Sequence, residues 1–364
     1  MNKNSKYNIS IILPCYNVAQ FIERAMDGIF MQDFDDYEVI IVNDGSPDNL
    51  LDICKKWENM PNVTILTTKN QGVAQARNEG LNIAKGEYIY FMDPDDYINQ
   101  GLFSTIYRKA KEEDCDAVYF GCRTIDECHG NWTYDTITKD CCYDNHKAIE
   151  EDCIPRFIGF SQSDFNNWMH HNPWKYKECA SVWRFMFRRA LLEDNNIRFP
   201  KGVKLSEDKY FVLNVLLHST KVCSVEDVLY NYIIRASGGL VNSLTDSKNL
   251  LKAKIDGVIE RGKLRAMAKK QYGDDIFTMY IGTIVLGVVE IIVRGASLPI
   301  IGCIKDVNQY MKLEEVREAY STISLSGLPL KFRIPTLMVK YHMSSLLVVL
   351  IHVANKMGVK LSAF

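Results

Sequence analysis

The sequence predicts an α/β fold: a mostly parallel β-sheet flanked by helices and followed by a helical C-terminal region. Segments typical of strands and of helices alternate four times within about ninety residues near the N-terminus, which is the pattern of a sheet with helices on its faces. The strand segments are continuous apolar runs, as is typical of parallel strands buried on both faces. From Asp246 the chain turns helical, which predicts the C-terminal region.

The first strand and helix show the pattern clearly. An apolar strand covers residues 8–13 and ends at Pro14, and a helix is predicted over residues 18–31. Asn17 precedes this helix and is its predicted N-cap. The apolar residues at helical spacing are Phe21, Ile22, Ala25, Met26, Ile29 and Phe30.

The second strand covers residues 37–42 and is continuous in apolar residues from Val39 to Val42. It ends in Asn43-Asp44-Gly45-Ser46-Pro47, a string that favours a tight turn. Ser46 is then the predicted N-cap and Pro47 the first residue of a helix that runs to Trp57. A third strand over residues 63–66 and a helix over residues 73–84, which carries Arg77, complete the next repeat.

The fourth strand, residues 88–92, ends in a cluster of carboxylates, Asp93-Pro94-Asp95-Asp96. Unpaired carboxylates at the end of a buried strand repel one another and resist desolvation. Two interpretations remain open. The cluster is a solvated turn, in which Asp and Pro are common, or it binds a divalent cation together with an anionic ligand. Oxygen ligands suit Mg²⁺ or Mn²⁺.

The carboxyl ends of these four strands are expected to meet at one edge of the sheet, where ligands of such folds bind. Tyr16, Asp44 and the carboxylates at 93–96 would therefore lie together, with Arg77 within reach. No strand is followed by Gly-x-Gly-x-x-Gly or by Gly-x-x-x-x-Gly-Lys-Ser/Thr, which argues against a dinucleotide dehydrogenase and a P-loop nucleotidase. The net charge of −2 gives no reason to expect nucleic-acid binding.

The length of 364 residues favours more than one domain. We predict a catalytic α/β domain over residues 1–240 and a helical region over residues 241–364. Within the first, residues 121–176 lack sustained periodicity and are predicted to be a variable insertion that determines acceptor specificity.

Five ordered segments resemble family 2 inverting glycosyltransferases with a GT-A fold, of the type that builds bacterial capsule, exopolysaccharide or lipopolysaccharide. They lie in the family's order, and the resemblance covers residues 8–240. The segments are residues 10–17 (SIILPCYN), 38–48 (EVIIVNDGSPD), 70–78 (NQGVAQARN), 90–96 (YFMDPDD) and 206–208 (SED).

The resemblance implies a nucleotide-diphosphate sugar as donor, most often a UDP-sugar. Pro14, Tyr16, Asn17 and Asp44 would hold the nucleotide, and Arg77 would lie near the base or the diphosphate. Asp93 and Asp95 match the family's Asp-x-Asp element. Of these, Asp93 would meet the ribose or the metal, and Asp95 would bind the Mn²⁺ or Mg²⁺ that bridges the phosphates.

The remaining site residues follow later in the chain. Asp208 would be the catalytic base, with Glu207 beside it toward the acceptor; for this pair, ordinary helix capping is the alternative. Residues 235–239 resemble the family's mobile loop, so Arg235 would contact phosphate, although a solvated surface arginine is the alternative. Trp174 and Trp183 are candidate stacking surfaces for an acceptor sugar, and for Trp183 we favour core packing.

The residue types fit glycosyl transfer. Attack by a sugar hydroxyl needs a carboxylate to take its proton, and departure of a nucleoside diphosphate needs its charge stabilised. A single base opposite the leaving group implies one displacement and hence inversion. The alternative is a non-catalytic GT-A domain that acts as a nucleotide-binding or membrane-associated scaffold. A nucleotidyltransferase is disfavoured because Pro14-Cys15-Tyr16-Asn17 replaces a Gly-rich turn.

The C-terminal tail, residues 331–364, carries five Lys or Arg residues and no Asp or Glu. Its apolar run, residues 343–354, is too short to span a hydrocarbon core of about 30 Å. We predict that the tail contacts an anionic membrane surface; packing against the protein or in a homodimer is the alternative. With no leader at the N-terminus, we expect a cytoplasmic protein, peripheral at the inner membrane face, with reduced cysteines.

Overall fold

The computed structural model describes residues 5–127, 132–158, 180–203, 207–235, 247–272, 281–297, 299–326 and 330–358. The chain divides into two compact units. The first comprises Met1–Ile154 and Glu178–Gly239, and the second comprises Pro155–Lys177 and Leu240–Phe364.

The first unit is built around one mixed sheet of ten strands. The strands are β1 Tyr7–Cys15, β2 Tyr37–Asn43, β3 Val63–Thr67, β4 Gly86–Phe91, β5 Tyr97–Ile98, β6 Ala117–Asp126, β7 Trp132–Thr136, β8 Cys141–Tyr143, β9 Phe185–Arg188 and β10 Val222–Ile234. Their order is β3-β2-β1-β4-β9-β6-β10-β5, with β7 paired to β6 and β8 paired to β10. The predicted α/β fold with a flanked sheet is confirmed.

The four N-terminal strands are parallel to one another, as predicted. β1 pairs with β2 on one side and with β4 on the other, and β2 pairs with β3. The antiparallel β9 then separates β4 from β6. Because every side chain of β2 is buried, the continuous apolar run is explained by burial on both faces.

Helices cover this sheet. In the first unit they are α1 Ala19–Phe30, α2 Leu50–Cys54, α3 Val73–Ile83, α4 Leu102–Glu113, α5 His146–Ala148, α7 Arg189–Asp194 and α8 Glu207–His218, with single turns at Lys55–Trp57, Ile149–Cys153 and Val182–Arg184. Helix α6, Ile154–Ile158, begins at the last residue of this segment of the first unit and continues into the second unit. The buried face of α1 is formed by the predicted apolar residues Ile22, Ala25, Met26 and Ile29, with Ala19.

The two predicted N-caps are wrong. Asn17 adopts a left-handed conformation (φ 56°), and the N-terminal Ala19 amide instead donates to Asp48 Oδ2 at 2.8 Å. Ser46 Oγ donates to the same carboxylate at 2.5 Å and accepts from the Asn17 amide at 2.7 Å. The Asp48 side chain, from a neighbouring loop, therefore accepts from the first amide of α1, a contact that local sequence spacing cannot predict.

Two features differ from the sequence analysis in the segment after residue 120. Strand β6 continues to Asp126, so the first residues of the predicted insertion belong to the central sheet. Cys142 and Cys223 form a disulfide, so the expectation that all cysteines are reduced is wrong for this pair. They are 81 residues apart in sequence but directly opposite in β8 and β10, a proximity created by the topology.

The second unit is helical where the structure describes it. Its helices are α9 Ser247–Tyr272, α10 Ile281–Arg294, α11 Ile300–Met311, α12 Glu314–Thr322, α13 Leu330–Lys340 and α14 Ser344–Lys356, with a single turn at Gly295–Ser297. Among the described residues, no helix combines the length and apolar character needed to cross a bilayer.

The last helix, α14, has one buried side and one exposed apolar side. Ser344, Leu347, Val348 and His352 are buried. The opposite side exposes a row of apolar residues spaced three and four apart, which we call the α14 stripe. Its members and their exposed fractions are Leu346 (50%), Val349 (37%), Leu350 (51%), Val353 (47%) and Met357 (76%).

Candidate active site

The site begins at the carboxyl ends of β1 and β2, which lie side by side because Cys15 and Asn43 are in register. Pro14 is buried inside β1, whereas Tyr16, two residues on, is 49% exposed. Asn17 is exposed, and its amide is fixed by Ser46. Of the predicted nucleotide residues at this end, Tyr16 therefore presents an open aromatic ring.

Asp44, immediately after β2, is 3% exposed and holds the loop that leads into α3. Its Oδ1 accepts from Thr68 Oγ1 at 2.9 Å and from the Gln71 amide at 3.0 Å. Its Oδ2 accepts from the Gly72 amide at 2.7 Å, and Gly72 has the positive φ of 93° that glycine tolerates. In this arrangement the carboxylate of Asp44 fixes the position of the loop beside Tyr16.

The carboxylates after β4 have different environments. Asp96 is buried and accepts from Tyr230 Oη at 2.9 Å and from the Ile233 amide at 2.8 Å, so it ties the turn to β10. The side chains of Asp93 and Asp95 are 27% and 35% exposed. Only Asp93 and Asp95 in this turn therefore present a partly open carboxylate.

Asp95 faces a cation supplied by the end of β10. Arg235 Nη1 lies 3.0 Å from Asp95 Oδ2, and the guanidinium packs over the Phe21 ring at 4.6 Å. Arg24 of α1 donates to the Asp95 carbonyl oxygen at 2.7 Å. The Arg235 side chain is 13% exposed, so the alternative of a solvated surface arginine is wrong.

The donor set at Asp95 suits a hard divalent ion. Burial, with the neighbouring Asp93 charge, raises the pKa of Asp95 even though Arg235 opposes this. A buried carboxylate that lies beside a second negative charge favours a bound cation. Among the described residues, no group of three His, Cys, Asp or Glu ligands includes Asp95. Asp95 and Asp93 therefore fit the ligand preference of Mg²⁺, which typically binds one or two carboxylates together with substrate phosphates.

Arg77 lies at the centre of the remaining acids. Its Nη2 donates to Asp93 Oδ1 at 2.9 Å and its Nη1 donates to Asp208 Oδ1 at 2.5 Å. The same Nη1 is 3.5 Å from Glu207 Oε1. Burial would lower the pKa of Arg77, but Asp208, Asp93 and Glu207 outweigh it and raise this pKa. The predicted edge of the sheet thus gathers residues from β4, α3 and α8.

The two acids at the start of α8 differ in exposure. The Asp208 side chain is 21% exposed, and its Oδ2 accepts from the Val182 amide at 3.3 Å. The Glu207 side chain is 9% exposed. Burial raises the pKa of both carboxyls, and the Asp208 charge raises that of Glu207 further, whereas Arg77 opposes the shift in each. Asp208 is therefore the more accessible acid of the pair.

Trp183 lies in the core and does not offer a free face to an acceptor. It is 4% exposed and stacks on Tyr230 at 4.3 Å and on Tyr232 at 5.6 Å between ring centroids. The candidate acceptor role of Trp183 is therefore wrong, and its predicted core packing is confirmed. Trp174 lies outside the described residues.

Three contributors were missed by the sequence analysis: Arg24, Phe21 and Tyr230. Arg24 and Phe21 lie three apart on α1, a spacing that places them on the same face of the helix. Tyr230 accepts from the Asp93 amide at 3.3 Å across 137 residues of sequence, and no local pattern indicates that contact.

The family model for glycosyl transferase family 2 matches residues 10–193, just over half of the 364 residues. The chain belongs to glycosyltransferase family 2. Glycosyltransferase GlyA of Streptococcus pneumoniae is 32% identical over 259 residues, which are 71% of this chain and 34% of GlyA. The poly(ribitol-phosphate) beta-glucosyltransferase of Bacillus spizizenii is 32% identical over 237 residues, 63% of this chain and 33% of that protein.

Solved structures of this family share the architecture. The crystal structure of S. aureus TarS 1-349 has a TM-score of 0.55 and 18% identity, covering 96% of this chain and 92% of that one. The fold is therefore GT-A, as predicted, with helices after the α/β domain. Because this family 2 chain spans about a third of the length of GlyA and of the beta-glucosyltransferase, the likeness concerns a part of those proteins.

Proposed function

We propose that this chain transfers a sugar from a UDP-sugar to a hydroxyl group of a glycan or lipid-linked acceptor, with inversion, in the synthesis of a surface polysaccharide. The observation that carries the proposal is the bridge from Asp93 through Arg77 to Asp208, with contacts of 2.9 and 2.5 Å. This bridge joins Asp93, at the carboxyl end of β4 where the donor would bind, to the partly exposed carboxylate of Asp208 at the start of α8.

Asp208 acts as the base in this proposal. One of its oxygens is held by Arg77 and the other by the Val182 amide, so the carboxylate has a defined orientation while 21% of the side chain stays accessible. Burial makes it a better proton acceptor by raising its pKa, and Arg77 keeps the ionised form favourable. These properties suit removal of the acceptor hydroxyl proton during attack.

The donor would lie along β1, β2 and β4. The exposed Tyr16 ring offers a stacking surface for the base, beside the loop that Asp44 holds. Asp93 would contact the ribose, and Arg235 would meet the diphosphate. A crystal structure of TarS contains UDP-GlcNAc, which supports a UDP-sugar as the donor.

Asp95, with Asp93, would hold Mn²⁺ or Mg²⁺. When bound, the ion stabilises the negative charge that grows on the departing diphosphate. Arg235 forms an ion pair with Asp95, so this arginine and a bound ion would share one carboxylate. Two of the relatives are named for beta-linked products, which supports inversion if the donor sugar is α-linked.

The acceptor is proposed to be a glycan or a lipid-linked sugar, and the membrane partner to be an anionic surface contacted by the α14 stripe. The beta-glucosyltransferase relative and TarS are named for poly(ribitol-phosphate), a surface-polymer acceptor class. The second unit ends in 46 residues, from Ala319 to Phe364, without an Asp or Glu. This composition favours anionic lipid and a location at the inner face of the membrane.

The test is a panel of UDP- and GDP-sugars assayed for hydrolysis and binding with Mn²⁺, Mg²⁺ or EDTA. Wild type is compared with Asp95→Ala and Asp208→Asn. We expect metal-dependent binding of a UDP-sugar that is lost in Asp95→Ala. In Asp208→Asn we expect binding to persist and turnover to fall about 10²- to 10⁴-fold, because the base is gone.

The control variant is Asp116→Asn, which alters a buried acid that contacts Thr220 and Arg188 away from the edge of the sheet. It should leave the donor preference unchanged. Failure to bind any nucleotide-sugar under all three conditions would contradict the transferase proposal and favour the scaffold.

A further inference from the structure

We propose that Arg77 is a positioning residue of the transfer reaction: it holds the base Asp208 in a fixed orientation to Asp93 and does not itself bind the donor. The inference rests on the proposed function, because that function assigns Asp208 its role. It differs from the expectation drawn from the family resemblance, in which Arg77 lies near the base or the diphosphate.

The first support is the direction of the two donating nitrogens. Nη1 donates to Asp208 and Nη2 donates to Asp93, so one planar group fixes the relative orientation of two carboxylates. The partners lie 131 and 16 residues away in sequence, on α8 and after β4. The terminal nitrogens that would face a phosphate are thus already committed to carboxylates.

The second support is the enclosure of the guanidinium. The Arg77 side chain is 3% exposed and packs 5.4 Å from the centre of the Phe199 ring. The next residue, Asn78, donates to the Phe199 carbonyl oxygen at 3.0 Å and accepts from its amide at 2.9 Å. Phe199 also stacks on Phe211 of α8 at 4.1 Å. The ring is therefore fixed on two sides, and Arg77 has no room to turn toward a donor.

The third support is the balance of charge. One guanidinium contacts Asp93, Asp208 and Glu207, none of which is fully exposed. Without the cation, Asp93 and Asp208 would repel each other and separate. A base displaced by about 1 Å costs on the order of 10²-fold in rate while leaving the donor site intact. The expected defect is therefore in turnover rather than in donor affinity.

The experiment uses the full chain with Arg77→Met and Arg77→Lys. We expect kcat to fall on the order of 10²-fold in Arg77→Met, with the Kd for UDP within about threefold of wild type. Arg77→Lys should recover part of kcat, since it keeps the charge but lacks the fork that reaches both carboxylates. The matched control is Arg188→Met, because Arg188 is a partly buried arginine (side chain 16% exposed) paired with Asp114 at 2.6 Å and Asp116 at 3.3 Å; this variant should lower Tm and leave kcat unchanged.

A second measurement does not depend on turnover. The Tm of Arg77→Met, Asp208→Ala and the double variant are compared, and contact predicts that the double variant loses less than the sum of the single losses. Additive losses would overturn the inference. It would also be overturned if the Kd for UDP rose tenfold or more in Arg77→Met with kcat retained, since that result assigns Arg77 to the donor. Absence of transfer by the wild type would refute the proposed function alone, because the Tm comparison still tests the contact.

Discussion

At the scale of single residues, the site contains fewer arginines than carboxylates. Asp93, Glu207 and Asp208 share Arg77, and Asp95 relies on Arg235. Such an arrangement is costly to fold, because each carboxylate loses hydration that a single guanidinium only partly replaces. In the proposed function, Asp95 would hold a metal ion and Asp208 would accept the proton of a hydroxyl group.

Glu207 provides a prediction for stability against pH. Burial raises its pKa, so the folded state binds a proton that the unfolded chain releases from about pH 4.3 upward. Between about pH 4.3 and the raised pKa of Glu207, which is about 8, the unfolded state binds fewer protons than the folded state. The stability of the wild type therefore falls as pH rises through this range. Glu207→Gln should flatten this decline by removing the titrating group, measured as ΔG of unfolding in urea at several pH values.

The control for this prediction is Glu58→Gln, since Glu58 is an exposed glutamate. It should leave the slope of stability with pH as in the wild type. A slope in Glu207→Gln equal to that of the wild type would contradict the assignment of the titration to Glu207.

Contacts between residues that are distant in sequence were not predicted from the sequence. The carboxylates at 93–96 and Arg77 were identified from their positions relative to the strands, and Glu207 and Asp208 from the family resemblance, yet the pairing of these residues was not predicted. Arg77 meets Asp208 across 131 residues, and the Arg235 contact with Asp95 spans 140. No sequence periodicity predicts contacts between residues so far apart in sequence, because the order of the strands in the sheet brings them together.

At the scale of elements, prediction succeeded where one physical rule dominates. The four parallel strands were identified because burial on both faces requires continuous apolar runs. Their carboxyl ends then had to lie at one edge. The N-cap prediction at Asn17 failed because Asp48, a residue of a neighbouring loop, accepts from the Ala19 amide of α1. The prediction at Ser46 failed because α2 begins only at Leu50. Strand β9 enters between β4 and β6 antiparallel, an insertion that no local pattern predicts.

Gly86, the first residue of β4, lies where the backbone of β1 approaches β4 closely. A Cβ at this position would lie 2.4 Å from the Ser10 amide nitrogen and 2.7 Å from the Ile9 carbonyl carbon of β1. Backbone cannot yield as a flexible side chain does, so Gly86→Ala should destabilise the protein by about 1–3 kcal/mol. Thermal unfolding of the full chain measures the loss.

The matched substitution is Gly302→Ala in α11, where a new Cβ would meet no atom within 4 Å beyond the adjacent residues and the backbone of its own helix. There alanine should be neutral or should stabilise by up to about 1 kcal/mol, since glycine is a poor helix former. Equal effects of the two substitutions would show that the approach of β1 to β4 does not require glycine.

At the scale of the whole molecule, the α14 stripe is an apolar surface that the described part of the helical unit leaves exposed. Its residues face one side of a helix whose opposite side is already buried, so the stripe adds nothing to the core of this unit. Lys340 and Lys356 flank the helix, and no acid follows Glu318 in the sequence. An apolar row with cations at both ends is typical of a helix that lies in the surface of an anionic bilayer.

We therefore predict binding of the full chain to vesicles of phosphatidylglycerol, and weaker binding to vesicles of phosphatidylcholine, measured by co-sedimentation. Binding should fall as salt rises, because the cations act within a Debye length of about 10 Å at 0.1 M. Leu350→Asp should reduce partitioning by about tenfold or more, as burial of a leucine is worth about 1.5–3 kcal/mol.

Ile301→Asp is the control for Leu350→Asp, because Ile301 belongs to the same unit, is 82% exposed and lies outside the stripe. It should bind vesicles like the wild type. If Leu350→Asp instead bound vesicles normally and converted a dimer to a monomer, as measured by light scattering, the stripe would be a contact between two copies. The distinction follows from the flanking lysines: lipid phosphates would neutralise them, whereas a second identical stripe would bring more positive charge.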